Sequence, residues 1–173
     1  AGLGGGSSDA ASMMKMLNEM CGLHLTTEEM EKCVGRLGAD CPFFIRCTPV
    51  YATGTGNVFT PIDLDLSGMF LVLIKPDDFV STKEAYANIT PHKGDILLGE
   101  LQREQLHRWP DMVRNDFEDS VFPAHPTVAH IKQQLYKVGA RYACMSGSGS
   151  SVFGLFDGPV EVSTPHFLFT ATL

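Results

Sequence analysis

No segment of this chain is long and apolar enough to cross a bilayer as a helix. Roughly 18 such residues would be needed, and the longest apolar run, Met69 to Ile74, has the length of a strand. Basic residues are scarce. Thirteen Lys and Arg stand against twenty Asp and Glu, a formal net charge of −7, whereas a general nucleic-acid surface would be basic. Neither a membrane nor a nucleic-acid partner is therefore expected. The five cysteines (Cys21, Cys33, Cys41, Cys47, Cys144) are odd in number and form no CxxC pair. They read as reduced, mostly buried thiols of a cytosolic protein. The six histidines form neither HExxH nor a cluster with cysteine, so structural zinc is not expected. The chain opens on glycines instead of a basic and then apolar segment, so no secretory leader is expected. Internal repeats are absent too.

What is present fits a folded protein. Hydrophobic residues make up 44% of the 173, and a mean hydropathy near zero fits a soluble chain with a real core, of one domain or two. The informative stretch is Gly2-Leu3-Gly4-Gly5-Gly6-Ser7-Ser8, which runs directly into a helical pattern. Glycines leave backbone N–H groups unobstructed, and a helix start carries partial positive charge. Together they make a place for phosphate. Three readings compete. A Walker loop ends in Gly-Lys-Ser/Thr, and no lysine occurs before Lys15, so that reading fails. A dinucleotide fingerprint needs a preceding strand and a third glycine where Ser7 stands, and fails as well. A glycine–serine phosphate loop remains, with Ser7 and Ser8 adding hydroxyls for phosphate or Mg²⁺. A flexible linker has the same composition, but a linker would not run unbroken into a strongly patterned helix.

Apolar residues at three- and four-residue steps predict a helix over 9–21, capped by Ser8 or Asp9 and ended by Gly22. Thr26-Thr27-Glu28-Glu29 opens a second helix that closes at Gly35 to Gly38. Pro42 prevents a helix from continuing through Asp40 and Cys41. Short strands are expected at Val50–Ala52 and Val58–Ile62 around Gly54-Thr55-Gly56, and a domain boundary near 62–68. Beyond it come a buried strand at Met69–Ile74 and a helix after Ser81-Thr82. Helices follow over 94–107, 110–122 and 126–138, broken at Trp109-Pro110. Strands at 141–145 and 152–156 flank a second glycine–serine loop, and an edge strand occupies 167–173. The second half thus predicts a small sheet with helices on one face, an α+β sandwich.

Gly2-Leu3-Gly4-Gly5-Gly6-Ser7-Ser8-Asp9, followed by Gly38-Ala39-Asp40-Cys41-Pro42-Phe43-Phe44 and later by Ser146-Gly147-Ser148-Gly149-Ser150-Ser151, resembles the GHMP kinase superfamily. Within it the combination is similar to the branch that acts on a cytidine diphosphate-linked methylerythritol in non-mevalonate isoprenoid biosynthesis. The resemblance covers roughly residues 1–156. It implies an α+β GHMP kinase fold: a remnant of an N-terminal ribosomal-S5-like domain over 1–65, and a C-terminal ferredoxin-like α/β sandwich over 66–173. It also implies ATP-dependent phosphorylation of a substrate hydroxyl, with ATP and Mg²⁺, in a bacterial cytosol or plastid stroma.

Residue by residue, the resemblance makes Asp40 the catalytic carboxylate that accepts or orients the hydroxyl proton. A loop aspartate bonding local backbone is the alternative. Gly2, Leu3, Gly4, Gly5, Gly6, Ser7 and Ser8 would hold the phosphates, Ser8 being also the candidate Mg²⁺ ligand. Ser146, Gly147, Ser148 and Gly149 would buttress that loop or border the phosphates, or form only a tight turn. Ser146 stands where a hydrolase elbow, Gly-x-Ser-x-Gly, needs glycine, so that motif is not supported. Thr55, Thr82 and Tyr86 would lie toward the substrate, with Tyr86 stacking on its base or, alternatively, buried in the core.

The resemblance implies a lead-in with a transfer-assisting lysine ahead of the loop, and this chain is expected to lack it. A chain cut at its own motif is therefore expected to be weakly active alone and to expose the apolar faces of its first two helices. Residues 157–165 are too short and proline-rich for the helix the family has there. Two other readings stay open: a kinase of the same superfamily for a sugar, homoserine or mevalonate-type substrate, and a non-catalytic nucleotide-binding module.

Overall fold

The computed structural model describes residues 2–90, 101 and 103–173. The chain divides into two compact units, Gly4–Asp63 and Leu64–Leu173, and Gly2 and Leu3 belong with the second.

The amino-terminal unit holds three helices and a hairpin. Helix α1 spans Gly5–Met20, so it begins inside the glycine run and not at Asp9. Ser8 and Asp9 are helical residues and cap nothing. The cap position is Gly4, at φ 63 and ψ 28, with no side-chain hydrogen bond. Glycine makes this possible because the left-handed region costs it little. Gly22, at φ 58, turns the chain after α1. The Asn18 side chain then accepts from the Leu25 N–H at 2.8 Å and donates to the Leu25 carbonyl at 3.2 Å. Helix α2, Thr27–Val34, opens on a full capping box. Thr26 Oγ1 accepts the Glu29 N–H and Glu29 Oε2 accepts the Thr26 N–H, which satisfies two amides that a helix start leaves open. Helix α3, Phe43–Arg46, follows Pro42. Proline tolerates that first-turn position, so it starts this short helix in addition to stopping an earlier one. Arg46 on α3 bonds Glu28 and Glu31 on α2 at 2.7 and 2.5 Å. Its hydrogen bond holds the Glu28 carboxyl below the usual carboxylate range. Strands β1 (Val50–Thr53) and β2 (Val58–Pro61) pair antiparallel.

Ala11, Val34, Cys41 and Ile45 form this unit's buried cluster. It is small, and it takes one stripe of α1 and α2. Met13, Met16, Leu17 and Met20 of α1 are exposed, Met20 at 74%, as expected for that helix, whereas α2 keeps Val34 buried and Met30 packed against the cluster. Leu23 and Leu37, outside both helices, are exposed too. The cysteines follow the same division. Cys21, Cys33 and Cys47 are exposed, and only Cys41 and Cys144 are buried, which corrects the expectation of mostly buried thiols.

The carboxy-terminal unit is built on a four-stranded antiparallel sheet of order β4-β5-β3-β6. The strands are β3 (Phe70–Lys75), β4 (Tyr142–Met145), β5 (Val152–Phe156) and β6 (Phe167–Thr172), and β6 is an edge as expected. Alternation sorts the side chains onto two faces. Val72, Ile74, Ala143, Met145, Val152 and Phe156 pack with Ala85 of α4 (Thr82–Ala87), Val121 of α6 (Phe117–Val121), and Val128, Ile131 and Leu135 of α7 (Pro126–Lys137). Tyr142, Cys144 and Leu155 pack on the other face with Met69, Leu106 and Trp109. Both faces are therefore covered, not one. The second cover is the 3₁₀ helix Arg103–Arg108 and the short helix α5 (Trp109–Met112). Trp109-Pro110 starts α5 instead of breaking a helix, since Pro110 sits in its first turn. The helix expected over 110–122 is two, parted by the extended Val113. Of the helix expected over 94–107, residues 94–100 and 102 lie outside the described residues.

Burial pushes the Cys144 thiol up to about 11, against about 8.5 for an exposed cysteine. The unfolded chain then releases this proton first, so stability is expected to fall as pH rises from about 8.5 to 11 and to be insensitive to Cys144 below that. Thiol titration with a chromogenic disulfide at pH 8 is expected to count three reactive cysteines in the native chain and five in denaturant. Five reacting at equal rates without denaturant would contradict the burial of Cys41 and Cys144.

Candidate active site

The start of α1 presents a row of open donors. The first bond back along the helix is Ser8 N–H to the Gly4 carbonyl, at 2.9 Å, so the amides of Gly5, Gly6 and Ser7 have no acceptor within the helix. A Cβ built on Gly5 or Gly6 would meet nothing within 4 Å, so space remains beside them for a ligand. Gly4 differs, because a Cβ there would lie 2.8 Å from the Phe44 ring. Ser7 and Ser8 are half-buried in the first turn. Their hydroxyls carry no hydrogen bond among the described residues.

Asp40 follows α2 in an irregular turn and is exposed. Its carboxylate makes no hydrogen bond or ion pair among the described residues, so the local-backbone alternative for this side chain is not realised. It lines a hollow of about 330 Å³ together with Gly4, Phe43, Phe44, Val50, Ala52, Gly56 and Phe59. Predicted residues Asp40 and Gly4 are thus brought together, with aromatic walls between α3 and the hairpin. Buried Cys41 and Pro42 anchor the turn on one side of Asp40. On another, Gly56 at φ 90 brings the hairpin tip close; a Cβ on it would be 3.8 Å from Asp40 Oδ1. Thr55 is exposed, and its N–H donates to Asn57 Oδ1 at 3.3 Å while its hydroxyl bonds the same oxygen. It belongs to the turn and does not line the hollow.

In the carboxy-terminal unit, the loop after β4 receives Gly2. Ser146 Oγ donates to the Gly2 carbonyl at 2.6 Å. A Cβ on Gly2 would stand 2.5 Å from the Ser146 carbonyl oxygen and 2.9 Å from that of Gly149. This approach admits only glycine. The loop is closed by Ser146 N–H to Ser151 O and Gly149 N–H to Ser146 O. Ser150 Oγ donates to the Asp78 carbonyl at 2.6 Å. Gly147 and Gly149 have positive φ, and Ser148 is half-buried between them. Leu3, by contrast, is 48% exposed.

Thr82 is the first residue of α4 and is exposed. Tyr86, on the same helix, is 60% exposed, so it is not a core side chain. Its ring meets Phe117 edge-to-face at 4.8 Å and 80°, which fixes the ring while leaving area for a ligand. The helix itself is held by the Ser81 cap, and by His125, whose Nε2 lies 2.9 Å from Glu84 Oε1. Two residues were not legible beforehand: Asn115, bonded to the Ser146–Ser151 loop, and Glu118, buried under β4. Nothing near them in sequence points to a loop so distant in the chain.

Known proteins resemble this chain in sequence and in fold. A model described as "GHMP kinases N terminal domain" matches residues 1–47, and one described as "GHMP kinases C terminal" matches 97–163. A 4-diphosphocytidyl-2-C-methyl-D-erythritol kinase of Parabacteroides distasonis is 56% identical over 161 residues, 93% of this chain and 59% of the relative. One from Bacteroides fragilis is 53% identical over 167 residues, 96% of this chain and 61% of the relative. The crystal structure of a 4-(cytidine 5'-diphospho)-2C-methyl-D-erythritol kinase superposes with a TM-score of 0.72 at 29% identity, covering 92% of this chain and 58% of that one. A homoserine kinase from Cytophaga hutchinsonii shares the fold at 17% identity and a TM-score of 0.69. The chain spans about three-fifths of the length of the curated relatives it matches.

Gly2→Ala is expected to destabilise the carboxy-terminal unit by about 1–3 kcal/mol, through left-handed strain and the collision with two carbonyls. Urea unfolding checks this. A midpoint equal to that of the unmodified chain would mean that Gly2 does not rest on the Ser146–Gly149 loop.

Proposed function

Because the chain belongs to the GHMP kinase family, we propose that the protein carrying it transfers the terminal phosphoryl group of ATP to a hydroxyl of 4-diphosphocytidyl-2-C-methyl-D-erythritol, in isoprenoid biosynthesis. The observation that supports this reading best is the Asp40 carboxylate, without a polar partner among the described residues, in a hollow it shares with Gly4 at the α1 start. Identities of 53–56% to kinases named for that substrate supply the acceptor.

Phosphoryl transfer asks a protein for positioning and for donors toward the phosphates more than for covalent chemistry. The Gly5, Gly6 and Ser7 amides and the positive end of α1 provide donors without formal charge. Asp40 accepts or orients the proton of the attacking hydroxyl. Its exposure leaves it able to reach a substrate. We assign Tyr86 to the cytosine, whose face it can cover at a contribution of about 1–3 kcal/mol, and Thr82 and Thr55 to the neighbourhood of the acceptor. Ser146 to Gly149 border the nucleotide phosphates.

Mg²⁺, when bound with ATP, neutralises phosphate charge and keeps most of its water. The residues fit such a cation. Ser8 offers a free hydroxyl in the first turn, and among the described residues no group of three His, Cys, Asp or Glu forms a dedicated metal cage. The domain limits of 1–65 and 66–173, and a cytosolic workplace, go with this reading.

Asp40→Asn in the complete polypeptide is expected to lower kcat by 10²–10⁴-fold with little change in ATP affinity, measured by coupled ADP release. The cytidylated methylerythritol is expected to be the preferred acceptor over homoserine. An unaltered kcat would remove Asp40 from the chemistry and favour a nucleotide-binding module. Faster turnover of homoserine would move the protein to another branch of the family.

A further inference from the structure

The segment Asn115–Glu118 lies between two features that the proposed reaction uses and touches both. Asn115 Nδ2 donates to the Met145 carbonyl at 2.7 Å and to the Gly147 carbonyl at 2.8 Å. Its Oδ1 accepts the Phe117 N–H at 3.0 Å and thereby starts α6. The side-chain orientation is set by its partners, two acceptors facing the nitrogen and one donor facing the oxygen. Two residues on, the Phe117 ring meets Tyr86. Next to it, buried Glu118 accepts the Met145 N–H at 2.9 Å and pairs with Lys132 at 2.5 Å. One short turn therefore grips the end of β4 and its loop through backbone carbonyls, and supports the exposed tyrosine of α4 through a ring.

We propose that Asn115 is a positioning residue for the nucleotide, holding the Ser146–Gly149 loop at the height at which it borders the phosphates, and that Phe117 has the same duty toward the base-stacking Tyr86. Glycines at 147 and 149 give the loop little stiffness of its own. A two-pronged amide on the carbonyls at its start and within it supplies the missing constraint. Each acts through the group it holds. The inference rests on the reading that this loop borders ATP.

The test uses steady-state kinetics of the complete polypeptide. Asn115→Asp keeps the oxygen that accepts the Phe117 N–H, but turns lone pairs toward the two carbonyls. It is expected to raise the KM for ATP about tenfold, leaving the KM for the alcohol acceptor within about twofold. Phe117→Leu is expected to do the reverse, raising the acceptor KM several-fold at constant ATP KM. If the aspartate variant does not fold, Asn115→Ser retains a short acceptor for the Phe117 N–H and lacks the reach to the carbonyls, with the same expected split. Equal loss for both substrates, or no loss for either, would overturn the proposal. Gly149→Ala, whose Cβ would collide with Met145 Sδ at 2.7 Å, disturbs the loop directly. If it leaves the ATP KM unchanged, the assignment of the loop to the nucleotide has failed. If it raises that KM while both Asn115 variants do not, the loop assignment stands and only the role of Asn115 falls.

Discussion

A helix cannot satisfy its own first amides, and the candidate site depends on that constraint. In α1 the vacancy is produced by glycine. Gly4 in the left-handed region lets the helix begin abruptly, with the first internal bond at Ser8. Gly5 and Gly6 leave the amides without side chains beside them. A serine, threonine or aspartate cap would have filled a donor that a phosphate needs. Elsewhere in the same unit α2 is capped fully by Thr26 and Glu29. The contrast distinguishes a helix start closed by its own side chains from one whose amides stay open.

The glycine–serine loop of the carboxy-terminal unit works differently. It is held by its neighbours: the Ser146 and Ser150 hydroxyls donate to the Gly2 and Asp78 carbonyls, and Asn115 donates to the Met145 and Gly147 carbonyls. Buried Ser150 and Ser151 anchor its far end. Two loops of similar composition thus have distinct tasks, one offering donors and the other being shaped by contacts around it.

Much of the fold was legible in pattern. The strand pair around Gly54 and Gly56, the α2 cap, α7 and strands β3, β4 and β5 appear within a residue or two of expectation, because each follows from local periodicity and turn chemistry. The errors have physical causes. Ser8 and Asp9 looked like caps because their side chains favour that position, but left-handed Gly4 moved the helix start upstream. Trp109-Pro110 looked like a break because proline ends helices, yet it is also tolerated in a first turn. The second cover of the sheet was missed because α5 is too short to show a period, and the exposed cysteines because α1 and α2 bury only one narrow stripe.

Among the site residues, those carried by motifs could be named in advance: the glycine run, Asp40 before its proline, and the Ser146–Gly149 turn. Local rules govern them, since glycine conformation and helix starts act over a few residues. Sequence by itself determined that a glycine–serine run opens directly into a helix and that an aspartate follows the second helix. Tertiary structure alone decided that Asp40 has no polar partner among the described residues and lines a hollow with Gly4, that Tyr86 is exposed on Phe117, and that Asn115 reaches the loop after β4. Those facts arise from contacts between residues far apart in the chain. They depend on packing and on which polar groups find partners, and no local pattern encodes either.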